Sequence, residues 1–524
     1  MDITRRFERR SPGSIPGGGT TTTAMKTSIP KEVSHVTETL LKAGFEAFLV
    51  GGCVRDLMLH KKPKDWDVTT NATPEEIIKL FPKTVYENTF GTVAVVNEEE
   101  ALDETLKIIE VTPYRVEGKY SDQRHPDEVR FTRNIEEDLE RRDFTINAMA
   151  LGCRQGGNCH VSGVTQEEFI DIFDGQKDLK NKGIKTVGDP DDRFKEDALR
   201  LMRAVRFATE LGFKIERETQ ESIKKNSKLL SHIAHERIRD EFIKIIMSDE
   251  PSKGIQMLHD FDLLKFIAPE LEDGIKIEQN QAHLFPVWDH NIRSLDHAAG
   301  KKWPLEIRLS ALFHDVGKPA SRRWSEEKKD WTFYGHDVIG ARITAKIMAN
   351  LKFPKKTIDL VTTFVRFHLF FSDTDKITLS AVRRIVRNVG PENVWDLMKV
   401  RFCDRVGMGR PKETPYRLRK YESMIEEAMR APLSVAMIKL DGIELMKLLN
   451  IQPGPKVGFI LNALFEEVLD EPEKNTEKWL KTRAKELNDL SDNELLEISK
   501  KAKERRNEAE EAELKKIRDR WYVK

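Results

Sequence analysis

Asp65 and Asp67 stand two residues apart in AFLVGGCVRDLMLHKKPKDWDVTTNAT, residues 47–73. Read as part of a strand, that spacing turns both carboxylates to one face, because strand side chains alternate sides. Just upstream, Gly51 and Gly52 form a turn that opens a short helix carrying Arg55. Two hard oxygen ligands beside such a turn can hold Mg²⁺ against a chain of phosphates. A lone D-x-D is usually a solvated hairpin; here the glycines, Arg55 and two strands come as a set. Two-metal phosphoryl transfer needs carboxylates that bridge the ions. Glu110, in KIIEVTPYR, is a candidate third carboxylate on a strand expected beside that of Asp67. An exposed strand glutamate is the alternative reading.

A second group follows at RRDFTINAM, residues 141–149, where Arg142, Asp143 and Asn147 fall close together. An arginine suits a phosphate, and Asp and Asn suit ribose hydroxyls. Arg-Arg-Asp triplets on helices are common and usually solvated. Further on, EDALRLMRAVRF reads as one helix on which Asp197, Arg200, Arg203 and Arg206 recur at helical spacing. A ladder of intrahelical ion pairs would account for it. A more specific chemistry also would. Cytosine and adenine each present an amino donor beside a ring-nitrogen acceptor. One accepting Asp and one donating Arg match both bases and mismatch uracil and guanine.

A third group lies in the second half of the chain. His314 and Asp315 adjoin in ALFHDVGK, read as an apolar helix ending at Gly317. His290, His336, His368 and Asp404 are spaced through the same helical region. Singly, each histidine is an ordinary core or surface residue. Jointly, neutral imidazoles and carboxylates suit Mg²⁺ or a transition metal such as Mn²⁺, Fe²⁺ or Ni²⁺.

These groups need two kinds of scaffold. Residues 45–175 mix strand signals (EAFLV, WDVTT, TVAVV, LKIIEVTPY, EVRFTR) with helical stretches such as PEEIIKLF. From about 178 the strand signals almost vanish and 3.6-residue apolar periods dominate. The fold class expected is therefore α+β, a mixed-sheet head followed by an all-helical body. Length alone suggests three or four domains among 524 residues. No apolar run approaches the ~20 residues of a membrane span. Four scattered cysteines are too few for a disulfide framework and point to a reducing, cytoplasmic setting. Cys153 and Cys159 are read as free thiols. A net charge of zero argues against a protein that coats nucleic acid indiscriminately. The Arg- and Gly/Thr-rich residues 1–30 are expected to be a disordered leader, with Met25 as an alternative start. The Lys/Glu-rich end, 473–524, is a solvated helix or an RNA-facing edge.

Taken together, residues 45–245 resemble the class II tRNA nucleotidyltransferases, the CCA-adding enzymes. These belong to the polymerase β-like superfamily and share their head with bacterial poly(A) polymerases. The metal motif is GGCVRD…KDWDVTT, the sugar motif RRDFTINA, the base-selecting motif EDALR, and a neck pattern is ERIRDE at 236–241. The resemblance implies that Asp65 and Asp67 bind Mg²⁺, with Glu110 as third catalytic carboxylate. It implies that Gly51, Gly52 and Arg55 meet the triphosphate, and that Arg142, Asp143 and Asn147 meet the nucleotide. Asp197 and Arg200 would then read the incoming base, with Arg203 and Arg206 as further nucleotide contacts. The histidine set resembles the HD-superfamily phosphohydrolases, whose pattern H…HD…D appears as His290, His314-Asp315 and Asp404. His336 and His368 would serve a second metal.

The resemblance implies a nucleotidyltransferase head at 31–177, a helical neck at 178–250, an HD domain at 251–420 and a helical tail at 421–524. FGTVAVV at 90–96 resembles the Gly-Thr-Val strand of the CCA-adding enzymes, and the segment 114–131 resembles the flexible loop that the family uses when switching from C to A. PGPKVGFILNALFEEVLDEPEKNTEKWL resembles its tail. The implied activity is addition of CCA to tRNA 3′ ends from CTP and ATP, with an HD phosphohydrolase activity as a second capacity. A poly(A) polymerase or a split-specificity enzyme is the alternative within the class. A phosphohydrolase with a binding-only head is the alternative outside it.

Overall fold

The structure, a computed structural model, describes residues 29–86, 91–97, 103–118, 128–154, 168–280, 284–369, 377–410, 412–429, 438–491 and 494–495. Most of the leader, the middle of the 114–131 loop, Cys159 and the end of the Lys/Glu-rich tail lie outside those residues. The chain divides into two compact units, Met1–Ile233 and Ala234–Lys524.

The first unit is built on a mixed sheet. Its elements begin with α1 (Lys31–Lys42), β1 (Ala47–Val50), α2 (Gly52–Met58), β2 (Asp67–Thr70), α3 (Pro74–Leu80), β3 (Thr84–Tyr86) and β4 (Val93–Val96). There follow β5 (Ile108–Pro113), β6 (Arg115–Glu117), β7 (Val129–Phe131), α4 (Ile135–Glu140), β8 (Ala150–Cys153) and β9 (Glu168–Ile170). The seven-stranded sheet runs β3-β4-β5-β2-β1-β8-β9, and only the central β2–β5 pair is parallel. A parallel pair needs a crossover, and α3, β3 and β4 supply it. The crossover helix starts cleanly: Thr73 and Glu76 form a capping box and Pro74 occupies the first turn.

Strand alternation then divides the sheet's two faces. Leu49, Val68, Ile109 and Val111 join one apolar cluster with Val33, Val36 and Leu40 of α1. Phe48, Val50 and Ala150 join the other, with Tyr114, Ile135 and Leu139. Each fully buried side chain of this size contributes roughly 1.5–3 kcal/mol, so a one-residue slip of β2 or β5 would be costly.

Four helices complete this unit: α5 (Gly175–Lys180), α6 (Pro190–Glu196), α7 (Leu199–Leu211) and α8 (Arg217–Asn226). Short parallel strands β10 (Gly183–Ile184) and β11 (Lys214–Ile215) tie them. The EDALRLMRAVRF segment is not one helix, as expected, but breaks at Asp197, whose backbone is extended. The Asp197 side chain accepts from the Leu199 amide at 3.0 Å, and its carbonyl from the Arg200 amide at 3.0 Å. A short carboxylate competing for backbone donors ends one helix and caps the next. Likewise, Arg142 and Asp143 lie in the turn after α4, not on a helix. Asp143 takes the Phe144 amide at 2.8 Å.

The second unit is helical. It comprises α9 (His235–Ile246), α10 (Pro251–Asp260), α11 (Val287–Gly300), α12 (Leu305–Phe313), α13 (Lys318–Ser321), α14 (His336–Asn350) and α15 (Lys355–Phe367). Beyond these are α16 (Leu379–Val389), α17 (Val394–Gly407), α18 (Tyr416–Met429), α19 (Gly442–Leu449), α20 (Pro455–Asp470) and α21 (Glu477–Asn488). Within this helical region Arg323–Ser325 (β12) and Asp330–Thr332 (β13) pair as a hairpin. Ile307, Phe364, Val382, Val386, Leu397 and Tyr421 head one core, and Leu445, Leu464, Phe465, Leu480 and Leu487 another. Among the described residues no helix is long and apolar enough to cross a membrane.

Cys153 is disulfide-bonded, which corrects the free-thiol expectation for that residue. Cys53 and Cys403 are free and buried. Burial, then the charge of Asp67, pushes the Cys53 thiol up to about 12. Burial also pushes the Cys403 thiol well above the ordinary thiol range. Since the thiolate is the reactive form, mass-mapped alkylation at pH 8 should leave Cys53 and Cys403 unmodified in the native protein. Both should label after denaturation; native labelling of either would contradict this packing.

Candidate functional site

The parallel register sets Asp67 directly beside Glu110. Their neighbours Val68 and Val111 point into the α1-side core, so alternation turns both carboxylates to the opposite face. Asp65 does not belong to the strand. The ladder begins at Asp67, and Asp65 lies exposed in a bend two residues earlier. Strand alternation therefore does not orient Asp65, although its charge is felt at Asp67. Burial pushes the Asp67 carboxyl up, the Arg142 guanidinium opposes this, and the Asp65 charge adds to the rise. Two carboxylates whose charges oppose each other in a partly buried setting fit a divalent cation.

Gly51 borders the same place. Its φ of +74° favours glycine, and a Cβ there would sit 3.1 Å from Arg142 Nη1 and 3.5 Å from Asp67 Oδ2. Gly52 begins α2, and Arg55 follows on the same helix. Arg55 Nη1 donates to Asn147 Oδ1 at 2.9 Å, and Asn147 Nδ2 donates to Asp143 Oδ1 at 3.3 Å. Arg203, from α7, donates through Nε and Nη2 to Asp143 Oδ2 at 2.6 and 2.5 Å. Arg55, Asn147, Asp143 and Arg203 thus form one chain of contacts linking three separate motifs. Although burial raises it, the charges of Arg203 and Arg200 hold the Asp143 carboxyl down at about 2.

Arg200 is buried, and its Nη2 donates to the Arg141 carbonyl at 3.1 Å. Its Nη1 meets Glu196 and the Arg193 carbonyl. Asp197 and Arg200 do not share a helix face; backbone bonds through the α6–α7 junction hold them as neighbours. Arg206 pairs with Glu210 at 3.7 Å.

Sequence reasoning passed over Asp138. Its side chain is fully buried and accepts from Arg141 at 2.6 and 3.0 Å and from Arg142 at 3.2 Å. Asp138 sits three and four residues before those arginines, and that spacing was the available signal.

A second constellation stands in the helical unit. His314 and Asp315 lie not on a helix but in the turn between α12 and α13, which Pro319 forces to begin anew. His290 comes from α11, His336 from the first turn of α14, His368 from the end of α15 and Asp404 from α17. All are buried. The ligand atoms of His290, His314 and Asp404 gather within 4.8 Å of one another, as do those of Asp315, His336 and His368. Asp315 joins the two sets. Its Oδ2 lies 3.1 Å from His290 Nε2 and 3.3 Å from His314 Nε2, while Oδ1 lies 3.2 and 3.6 Å from His336 and His368.

The Nε2 atoms of His336 and His368 are buried and make no well-formed hydrogen bond. Burial would lower the His314 imidazole, yet Asp315 and Asp404 hold it up at about 9. Buried carboxylates that keep a neighbouring imidazole protonated, beside imidazole nitrogens without well-formed hydrogen bonds, are a donor set that fits a metal. Gly317 permits the packing, because a Cβ there would meet the His336 carbonyl at 2.2 Å. Two supports were not anticipated: Lys318 reaches Asp315 Oδ2 at 2.6 Å, and Arg401 pairs with Asp404. Each stands three residues from its acid.

Asp138→Asn leaves two guanidiniums without their buried counter-charge and should destabilise the first unit by roughly 3 kcal/mol. Asp143 behaves differently with pH. Its folded pKa is depressed, so its stabilisation is present above about 4 and lost as pH falls toward 2. The Asp143→Asn variant should be less stable by roughly 2 kcal/mol at pH 7. In denaturant titrations that gap should narrow below pH 4. A gap independent of pH would contradict the assigned ion pairs.

Comparison with known proteins agrees with both halves. The Poly A polymerase head domain family matches residues 47–185, the "Probable RNA and SrmB- binding site of polymerase A" family residues 212–275, and the HD domain family residues 287–408. The CCA-adding enzyme of Ligilactobacillus salivarius is 44% identical over 237 residues, 45% of this chain and 54% of that protein. The chain thus spans about half the length of several curated relatives that it matches at this level. The CCA-adding enzyme of Pediococcus pentosaceus is 34% identical over 453 residues, 85% of this chain and 96% of that protein. A crystal structure of the Bacillus stearothermophilus CCA-adding enzyme in complex with CTP superposes with a TM-score of 0.63 at 25% identity. It covers 87% of this chain and 97% of that one. On the length and identity of these matches, the chain belongs to the CCA-adding enzyme family.

Proposed function

We propose that this protein adds C, C and A to the 3′ end of tRNA from CTP and ATP, without a template, and releases pyrophosphate. The observation that carries the reading is the β2–β5 register, which puts Asp67 beside Glu110 with Asp65 two residues upstream. Asp65, Asp67 and Glu110 hold Mg²⁺. Bound there, Mg²⁺ would lower the pKa of the attacking 3′-hydroxyl and offset charge on the triphosphate. Gly51 and Gly52 leave room for the phosphates beside Asp67. Arg55 and Arg142 meet phosphate oxygens, held in place by Asn147 and Asp138. Asp143 and Asn147 face the sugar, and Asp197 with Arg200 reads the pairing edge of C or A. Arg203 and Arg206 add positive charge next to the nucleotide. The CTP complex of the Bacillus stearothermophilus relative supports a nucleoside triphosphate as ligand. Recognition of tRNA by shape and backbone suits a protein with no net charge.

The buried His/Asp constellation supports a second activity, hydrolysis of phosphoesters at RNA 3′ ends. Asp315 is the acid shared between two ligand groups, with His290, His314 and Asp404 on one side and His336 and His368 on the other. The donor set accepts Mg²⁺ or a transition metal. We place both activities in the cytoplasm.

A tRNA lacking its 3′ end, incubated with CTP and ATP, should gain three nucleotides and stop. A long ladder with ATP alone would mean poly(A) synthesis, and equal use of UTP would sink the base-reading roles of Asp197 and Arg200. Asp65→Ala with Asp67→Ala should abolish incorporation and leave phosphatase activity. His314→Ala with Asp315→Ala should do the reverse.

A further inference from the structure

One uncharged side chain collects the cations of the head. Phe207, on α7, is 5% exposed. The guanidinium carbons of Arg55, Arg203 and Arg206 lie 5.3, 5.3 and 4.2 Å from its ring centroid. Phe144 packs against it with centroids 5.7 Å apart and ring planes at 82°. A guanidinium within about 6 Å of an aromatic face is attracted by the ring quadrupole.

Three guanidiniums so close together repel one another. Acids offset part of that repulsion: Asp56 beside Arg55, Asp143 beside Arg203 and Glu210 beside Arg206. Asp56, Asp143 and Asn147 accept from guanidinium N–H groups and Glu210 pairs with Arg206 by charge, whereas the ring attracts the cations through its π face. An aliphatic side chain of similar volume would fill the space and offer no negative face. Phe144 belongs to the RRDFTINA motif, Arg55 to GGCVRD and Arg203 to the helix after EDALR. The ring therefore stands where three separated segments of sequence must be brought into register.

We propose that Phe207 is a positioning residue for the incoming nucleotide, holding Arg55, Arg203 and Arg206 at the spacing that its phosphate oxygens require. The proposal rests on the nucleotidyl-transfer reading above. Phe207 itself touches no substrate; it acts through the arginines.

Fluorination of the ring tests this, because each fluorine weakens the π face with little change in volume. Full-length protein carrying 4-fluoro-, 3,5-difluoro- or 3,4,5-trifluorophenylalanine at position 207 should bind CTP progressively more weakly, measured by calorimetry. The KM for CTP and ATP in tRNA extension should rise in the same order, reaching roughly tenfold for the trifluoro form. The rise in KM should exceed any fall in kcat. Phe207→Tyr should stay near wild type, and Phe207→Leu should match the trifluoro form. A flat series in a wild type that binds CTP and extends tRNA would remove the role of Phe207 and leave the transfer reading intact. A wild type that neither binds CTP nor extends tRNA would overturn both.

Discussion

The parallel pairing of β2 with β5 is the constraint on which the head depends. It is the one parallel contact in an otherwise antiparallel sheet, and it sets Asp67 beside Glu110. The register is fixed from the other face of the sheet, where Val68 and Val111 pack with Ile109 into the core shared with α1. The site's acids are thus positioned by residues that do no chemistry. Around them, three polar contacts tie sequence-distant segments together: Arg55 to Asn147, Asp143 to Arg203, Arg200 to the Arg141 carbonyl. Each fixes the position of a guanidinium.

The helical unit solves a similar problem by different means. Buried acids are costly unless paired, and Asp315 and Asp404 are paired from outside by Lys318 and Arg401. Their inner faces are left to imidazoles from α11, α14 and α15. One carboxylate shared between two ligand groups follows from placing Asp315 in a tight turn, where Gly317 lets α14 approach.

Much of this was legible in the sequence. The D-x-D beside Gly51-Gly52, the arginine rows and the spaced histidines named the residues that the structure gathers, and the EAFLV, TVAVV and LKIIEVTPY runs marked the strands. What failed was local geometry. Asp65, Asp197, Asp143 and His314-Asp315 were read as lying on regular elements, and all lie in bends, turns or junctions. Asp197 and Asp143 take the Leu199 and Phe144 amides for their own side chains, and Pro319 starts a new helix just after His314-Asp315. Asp138 and Phe207 went unnoticed because their importance lies in what they hold. Periodicity marks a residue as buried but does not show which arginines surround it.

The divalent-metal site proposed for the head is built by the β2–β5 pairing. It is tested most directly by counting Mn²⁺ bound in the presence of CTP, by electron paramagnetic resonance, in protein whose helical site is disabled by His314→Ala with Asp315→Ala. Asp67→Asn should eliminate the remaining bound Mn²⁺, and Glu110→Gln should weaken its binding by at least about tenfold, on the order of 1.4 kcal/mol. Mn²⁺ binding unchanged by either substitution would contradict it.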